Sequence, residues 1–297
     1  MTRSRSMTRS RKVAKYRSLL YIPSNKQKYI DKAQTRGADA LILDLEDSIH
    51  PLEKDNARIS CVAAIGVLKD GPSDIVVRVN GDFRILIHDL EAVVQPGLQA
   101  VMVPKCDYQE KCVIVDELLT QLEAEANMEE GSIGIIPILE SPGGFFKAEL
   151  IAKASYRNIA MILGGEDFAT SCDIDPNPET LLMARQQIVF AARAASISPL
   201  GLLDTATNYS DIEYMISIAE RARQFGFDGS TCVHPAVIPV LNQAFTPSSK
   251  EIEHAKKVIA AMESVERDGG GVAVLDGKMI DAPIKARALK VLARACN

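Results

Sequence analysis

An eight-stranded α/β barrel, the (β/α)8 or TIM barrel, followed by a C-terminal helical extension, is what this sequence predicts. Two observations carry that expectation. Short apolar runs recur every few dozen residues with helix-sized segments between them, which implies parallel pairing throughout. Each run also closes on a polar, charged or proline-bearing motif. In order these are Tyr-Ile-Pro (21–23), Leu-Asp-Leu-Glu-Asp (43–47), Val-Arg-Val-Asn (77–80), Val-Pro-Lys (103–105), Ile-Leu-Glu (138–140), Gly-Gly-Glu-Asp (164–167), Leu-Leu-Asp (202–204) and Val-His-Pro (233–235). Reactive groups of such barrels gather where the strands end, at one rim.

The elements follow in order. Residues 17–22 read as the first strand and 26–36 as the first helix, with Ile30 and Ala33 at helical spacing and Gly37 as its stop. Residues 40–45 are apolar on both faces, as a buried parallel strand requires. A helix over 54–68 leads through Gly71-Pro72 into a third strand, 75–79. A short helix near 85–94 precedes strand 100–103, and a long one over 109–127 precedes strand 134–139. Ser141 with Pro142 makes a capped helix start. Strand 159–163, helix 178–195, strand 200–203, helix 211–225 and strand 230–233 complete eight units.

Beyond them, 248–267 reads as a serine-capped helix, Gly269 to Gly271 as a hinge, and 278–295 as a last helix. The division expected is a disordered basic arm over 1–16, the barrel over 17–247, and an extension over 248–297 that packs on a neighbouring subunit.

The chain carries a net charge of −5, although Arg3, Arg5, Arg9, Arg11, Lys12 and Lys15 make its first residues basic. An acidic body lacks the extended basic surface of nonspecific nucleic-acid binding, so no nucleic-acid partner is expected. No apolar run reaches the roughly 18–20 residues of a membrane span, so no membrane association is expected either. The arm lacks the apolar stretch of a secretory signal. It reads as a disordered tail with starts at Met1 or Met7, or as a transit-like segment. The six cysteines show no Cys-x-x-Cys spacing, which suits free thiols and a cytoplasmic location.

Glu140 and Asp167 each end a strand, where they face a common cavity. Two converging carboxylates repel unless a cation neutralises them, and oxygen ligation by few protein groups suits Mg²⁺. Without a metal, such acids cap the next helix or pair with a surface base. Asp44, Glu46 and Asp47 form a denser acidic cluster. Asp44 and Glu46 share a face, from which they can bind the metal's waters, or else join a network with Arg17 or Arg58. Arg78, in an otherwise apolar strand, needs an anion: a substrate carboxylate held through its planar fork, or Asp44 or Glu46. Lys105 invites imine chemistry, but nothing adjacent depresses its pKa. Gly164 and Gly165 let backbone N–H groups approach a substrate carboxylate, and Glu166 beside them joins the substrate-contacting set. His234 suits either a base or a structural turn.

Taken together, Arg-Ser-Leu-Leu-Tyr-Ile-Pro, Leu-Asp-Leu-Glu-Asp-Ser, Val-Arg-Val-Asn-Gly, Val-Pro-Lys, Glu140 before Ser-Pro-Gly, Gly-Gly-Glu-Asp-Phe, Gly-Phe-Asp-Gly before Val-His-Pro, and Gly-Lys-Met-Ile-Asp-Ala-Pro resemble the HpcH/HpaI aldolase/citrate lyase family. The resemblance is to its citrate lyase beta-subunit-like branch, with the malyl-CoA and citramalyl-CoA lyases, and covers about residues 17–296. It implies Mg²⁺ on Glu140 and Asp167, Arg78 on the substrate, and homotrimers or hexamers. By position it puts Tyr21, Lys26 and Lys32 at coenzyme A, His234 near the acyl pocket, and Asp281 as a catalytic acid from the neighbouring subunit. Two departures soften entrance cations: Pro-Ser-Asn-Lys-Gln (23–27) stands where Pro-Gly-x-Arg-Pro is usual, and Gly229-Ser230 where Gly-Lys is usual.

The activity implied is Mg²⁺-dependent carbon–carbon cleavage, or the reverse condensation. A 3-hydroxyacyl-CoA thioester would give an acyl-CoA and a 2-oxo acid. An aldolase on free hydroxy-oxo acids, or a citrate lyase beta subunit working on a carrier-bound acyl group, are the alternatives.

Overall fold

The computed structural model describes residues 14–204 and 211–295; most of the predicted basic arm, and Cys296, lie outside the described residues. By its internal contacts the chain divides into two units, one ending at Asn242 and the other beginning at Gln243.

The first unit is the expected barrel. Its strands are β1 (Ser18–Pro23), β2 (Ala40–Asp44), β3 (Asp74–Arg78), β4 (Ala100–Val103), β5 (Gly134–Leu139), β6 (Ala160–Leu163), β7 (Ser198–Leu200) and β8 (Ser230–Cys232). They pair in parallel in the order β7-β6-β5-β4-β3-β2-β1-β8. An isolated parallel bridge from Leu200 to Gly229 joins the two ends of that row and closes the ring. Gly229 is required there, because a Cβ would lie 1.8 Å from the Tyr16 carbonyl oxygen.

Between the strands lie α1 (Gln27–Ile30), α2 (Lys54–Leu68), α3 (Phe83–Val93), α4 (Gln109–Glu125), α5 (Pro142–Phe146), α6 (Ala148–Lys153), α7 (Gly165–Cys172), α8 (Leu182–Ala194) and α9 (Ile212–Phe225), with α10 (Ile238–Phe245) after β8. Ser141 caps α5, accepting from Gly144 N–H at 3.2 Å, as the Ser-Pro start signal predicts. The interior is filled by alternate strand residues, among them Leu19, Ile42, Val76, Met102, Ile136, Ile138, Ile162 and Leu200, with Tyr21 packed against them. Such a filled interior leaves chemistry only at the rim.

Three local expectations differ. The first helix breaks after Ile30 and resumes as a 3-10 turn over Ala33–Arg36. The long connection after β6 contains α7, whose Gly-Gly start hides it from pattern reading. β7 begins at Ser198, two residues before its apolar pair suggests.

The second unit holds α11 (Ser249–Arg267), a β9 (Ala273–Leu275) to β10 (Lys278–Ile280) antiparallel hairpin, and α12 (Ala282–Ala295). Ser248 and Glu251 form a reciprocal capping box on α11. The hairpin replaces the first turn of the helix expected from residue 278. Ala255, Val258, Met262, Ala273, Ile280 and Ala288 are buried together as this unit's core. Among the described residues no helix is long and apolar enough to cross a membrane, and Cys61, Cys106, Cys112, Cys172 and Cys232 are free thiols.

Candidate active site

A cavity opens at the C-terminal ends of the strands, with Tyr21, Arg78, Glu140, Gly164, Asp167, Arg185 and Asp204 in its wall. The register creates one side of it. Asp44 and Arg78 end adjacent strands as Cα partners. Their side chains close a two-point ion pair, Arg78 Nε to Asp44 Oδ1 at 2.6 Å and Nη2 to Oδ2 at 2.7 Å. Arg78 Nη1 reaches Glu46 Oε2 at 3.1 Å and Asp47 Oδ2 at 3.3 Å. The guanidinium also stacks over the Tyr21 ring, 4.9 Å from its centroid. Burial pushes the Asp44 carboxyl up, but the Arg78 hydrogen bonds and charge more than reverse this and leave it below the usual range.

The acidic cluster is thus tied to Arg78 and Lys105. Arg17 pairs with Asp39, and Arg58 with Asp55 and Asp89, so the predicted alternative network through Arg17 or Arg58 is not formed. Lys105 Nζ donates to Glu46 Oε1 at 2.9 Å, and that bond raises the lysine pKa. A lysine held protonated is a poor imine former. Glu46 itself lies above the ordinary glutamate range through burial, which Lys105 and Arg78 only partly offset.

Glu140 is buried, and its Oε2 accepts from the Lys105 backbone N–H at 2.7 Å, where Lys105 takes a left-handed φ of 51°. Gly164 makes room for it: a Cβ there would sit 2.5 Å from Glu140 Cγ and 2.7 Å from Oε1. Burial first, then the charges of Glu46 and Asp167, push the Glu140 carboxyl up to about 8, against the pull of the Lys105 N–H. Asp167 lies in the first turn of α7, beside Glu166, and both line the cavity.

These residues fit a divalent ion. A buried carboxyl crowded by two others gains from a dication. Among the described residues no group of three or more His, Cys, Asp or Glu side chains is arranged to hold a metal. A pair of carboxylates that leaves positions for water and substrate oxygens is the Mg²⁺ pattern, and the donor set holds no sulfur or imidazole for zinc.

The remaining predicted residues are placed as follows. Tyr21 is in the cavity wall, its hydroxyl donating to Met102 Sδ at 3.3 Å. Lys26 and Lys32 are exposed at the starts of α1 and of the following 3-10 turn. His234 is exposed, and its Nδ1 accepts from the Ala236 N–H at 3.2 Å, which caps the turn Pro235–Val237. Asp281 caps α12, its Oδ1 accepting from the Ile284 N–H at 3.2 Å.

Arg185 is the cavity residue that sequence reasoning missed. It is 4% exposed, on the buried stripe Ala184, Ile188, Ala192 of α8, with Leu181 buried at the helix N-cap. A charge on an apolar helical face was the signal that could have found it.

Residues 17–235 match the family model of the HpcH/HpaI aldolase/citrate lyase family. Citrate lyase subunit beta of Escherichia coli K12 is 36% identical over 291 residues, covering 96% of this chain and 95% of that protein. A (3S)-malyl-CoA thioesterase of Cereibacter sphaeroides is 35% identical over 282 residues, covering 94% of each. Among solved structures, the protein CitE of Mycobacterium tuberculosis in complex with magnesium, acetoacetate and coenzyme A superposes with a TM-score of 0.72 at 28% identity, covering 94% of this chain and 98% of that one.

Proposed function

We propose, from the premise that the chain belongs to the HpcH/HpaI aldolase/citrate lyase family, that it is a Mg²⁺-dependent carbon–carbon lyase of 3-hydroxyacyl-CoA thioesters. It releases an acyl-CoA and a 2-oxo acid, and runs in reverse as an aldolase. One observation carries the reading. Glu140 is buried at the rim beside Asp167 and Glu46, crowded enough to hold its proton to about pH 8. That arrangement has a chemical use once a dication shares Glu140 and Asp167. The magnesium, acetoacetate and coenzyme A of the CitE complex support the same choice of metal and substrate class.

A divalent ion bound there supplies Lewis-acid polarisation of the substrate's oxo or hydroxyl oxygen and a template for its carboxylate. The chain does the rest. Arg78, locked by Asp44, keeps a fixed positive charge at the cavity wall, where it steadies the oxygen that becomes the oxo group. A base takes the hydroxyl proton, the bond between the carbinol carbon and the thioester α-carbon breaks, and the electron pair passes into the thioester enolate. Asp281 returns a proton to that α-carbon, or removes it in the condensing direction. Glu166 contacts the substrate acid. Asp44, Glu46 and Asp47 would stand in the ion's outer shell, Asp44 while holding Arg78. Tyr21, Lys26, Lys32 and His234 meet the coenzyme A and acyl portions.

Exposed apolar side chains on neighbouring helices, Phe146, Leu150, Met183 and Phe190, support assembly with further copies, as a homotrimer or hexamer. Free thiols support a cytoplasmic location. The relative named as a citrate lyase beta subunit favours one second reading, action on a carrier-bound acyl group.

The test is a mass-spectrometric screen of the purified protein against malyl-, citramalyl-, hydroxymethylglutaryl- and citryl-CoA, with and without Mg²⁺. Release of a 2-oxo acid and an acyl-CoA only with the metal supports the reading. Hydrolysis to free coenzyme A without carbon–carbon cleavage would replace it with a thioesterase.

A further inference from the structure

Among the described residues Arg157 and Arg185 are buried and Arg78 is mostly so, and the three are satisfied differently. Arg157, 2% exposed, is held by Asp116 at 2.6 Å and Glu123 at 2.7 Å. Arg78 gives its fork to Asp44. Arg185, 4% exposed, has no carboxylate within ion-pair distance among the described residues. Its one hydrogen bond there is Nη1 to the Leu203 carbonyl at 2.6 Å. A guanidinium carries five N–H donors, so most of its donor capacity has no partner among the described residues, and Arg185 lines the cavity.

A buried, unpaired cation is costly to a fold unless something answers it. Burial alone draws the Arg185 pKa down to about 10, with Asp204, Glu166 and Tyr214 opposing from a distance. Tyr214 holds Asp204 through its hydroxyl, so the nearest acid is already engaged. Arg185 is also anchored in direction. The Leu203 carbonyl fixes Nη1 from just beyond β7, whereas Glu140 directly follows β5 and Asp167 lies in the first turn of α7, after β6. All three line one cavity, so an acid whose oxo end is held beside Glu140 and Asp167 can extend its far end to Arg185.

We infer that Arg185 receives a second carboxylate of the substrate acid, so that the 2-oxo acid handled here is a dicarboxylate. The planar fork of Arg185 matches a carboxylate through two N–H bonds. Arg78 cannot take that part without releasing Asp44. This inference rests on the reading that Glu140 and Asp167 hold the oxo end through a divalent ion.

Calorimetric titration of the full-length protein in Mg²⁺ with oxaloacetate, and separately with pyruvate, tests it. The wild type should bind oxaloacetate at least about tenfold more tightly than pyruvate, the scale of a charge-assisted two-point contact. Arg185→Gln should bring the two affinities within about twofold of each other while leaving pyruvate binding unchanged. A purely structural arginine would weaken both acids together. Arg185→Lys keeps the charge without the fork and should fall between, which preserves the test if the glutamine variant does not fold. A wild type that binds pyruvate yet gains nothing from the second carboxylate overturns the inference alone, as does an Arg185→Gln protein that keeps the wild-type ratio. Binding of neither acid by the wild type overturns the proposed function, and this inference with it.

Discussion

Arg78 and Asp44 stand opposite one another in the β2–β3 register, and the two-point ion pair between them spends the fork of the arginine on the protein itself. Neighbouring parallel strands bring residues at matched heights to the same rim level, so the contact follows from strand pairing alone. It turns Arg78 from a mobile substrate clamp into a fixed charge. The cavity's other arginine, Arg185, is the one left open to an anion.

Separating the pair should therefore hurt both fold and function. Asp44→Asn leaves a mostly buried guanidinium without its partner and should cost about 3–5 kcal/mol of stability. Arg78→Lys keeps the charge, loses the fork, and should lower turnover at least about tenfold. Urea unfolding and steady-state kinetics report the two effects. A stability loss below about 1 kcal/mol for Asp44→Asn would mean that the pair behaves as an exposed one.

Gly164 should be intolerant of a single methyl group. A Cβ would lie 2.5 Å from Glu140 Cγ and 2.7 Å from Oε1, so the carboxylate must leave its place and shift into the cavity that it lines. Gly164→Ala should cost about 1–3 kcal/mol through overpacking and weaken Mg²⁺ binding, measured by titration calorimetry. Gly165→Ala meets only the Leu181 Cδ1 at 3.3 Å and is the mild control. Equal metal affinity in both variants would break the link between Gly164 and the carboxylate.

Glu140 sets a pH dependence with a definite sign. Below about pH 4.5 the carboxyl is protonated folded or unfolded, and it contributes nothing. From there to about 8 the folded state holds the extra proton, so stability falls as pH rises; above that both states are ionised and the penalty is complete. In chelator, the wild type should lose stability relative to Glu140→Gln between about pH 5 and pH 8.5, read from urea midpoints. Added Mg²⁺ should restore it most at the alkaline end, because the ion binds the ionised form. Parallel pH curves for the two proteins would remove Glu140 from this role.

Most of the scaffold was legible in the sequence because parallel strands buried on both faces read as uninterrupted apolar runs. Ala100–Val103 and Gly134–Leu139 fall where those runs predict, as does the helix Lys54–Leu68. Less legible was whatever depends on which side chain meets which. Periodicity puts Arg78 at a rim but cannot tell a substrate from Asp44 as its partner, because register is a property of two strands. Arg185 was hidden differently, as one polar position inside an ordinary helical stripe. The hairpin β9–β10 escaped because its strands are three residues each and its turn looks like a helix entry.

Chelation should stop turnover, and Mg²⁺ or Mn²⁺ should restore it. Asp167 lies exposed in the first turn of α7, so Asp167→Asn should leave the fold intact while weakening metal affinity and removing most activity. Circular dichroism beside calorimetry separates the two. Full activity in excess chelator would sink the metal mechanism and return attention to Lys105.

Asp281 caps α12, and the catalytic role proposed for it can be tested separately from that cap. Its Oδ1 accepts the Ile284 N–H at the start of α12, and asparagine caps a helix about as well as aspartate. Asp281→Asn should therefore unfold at nearly the wild-type denaturant concentration. If the carboxylate moves the α-carbon proton, the same variant should lose turnover by about two orders of magnitude or more, the usual scale of general acid–base catalysis. Where the acid serves a neighbouring subunit, mixing Asp281→Asn with Asp167→Asn protein under conditions that exchange subunits should regenerate sites containing neither change, although each variant alone is nearly inactive. A preparation shown to exchange subunits, yet recovering no activity, would confine Asp281 to its own chain. An Asp281→Asn enzyme of wild-type activity would leave it the helix cap alone.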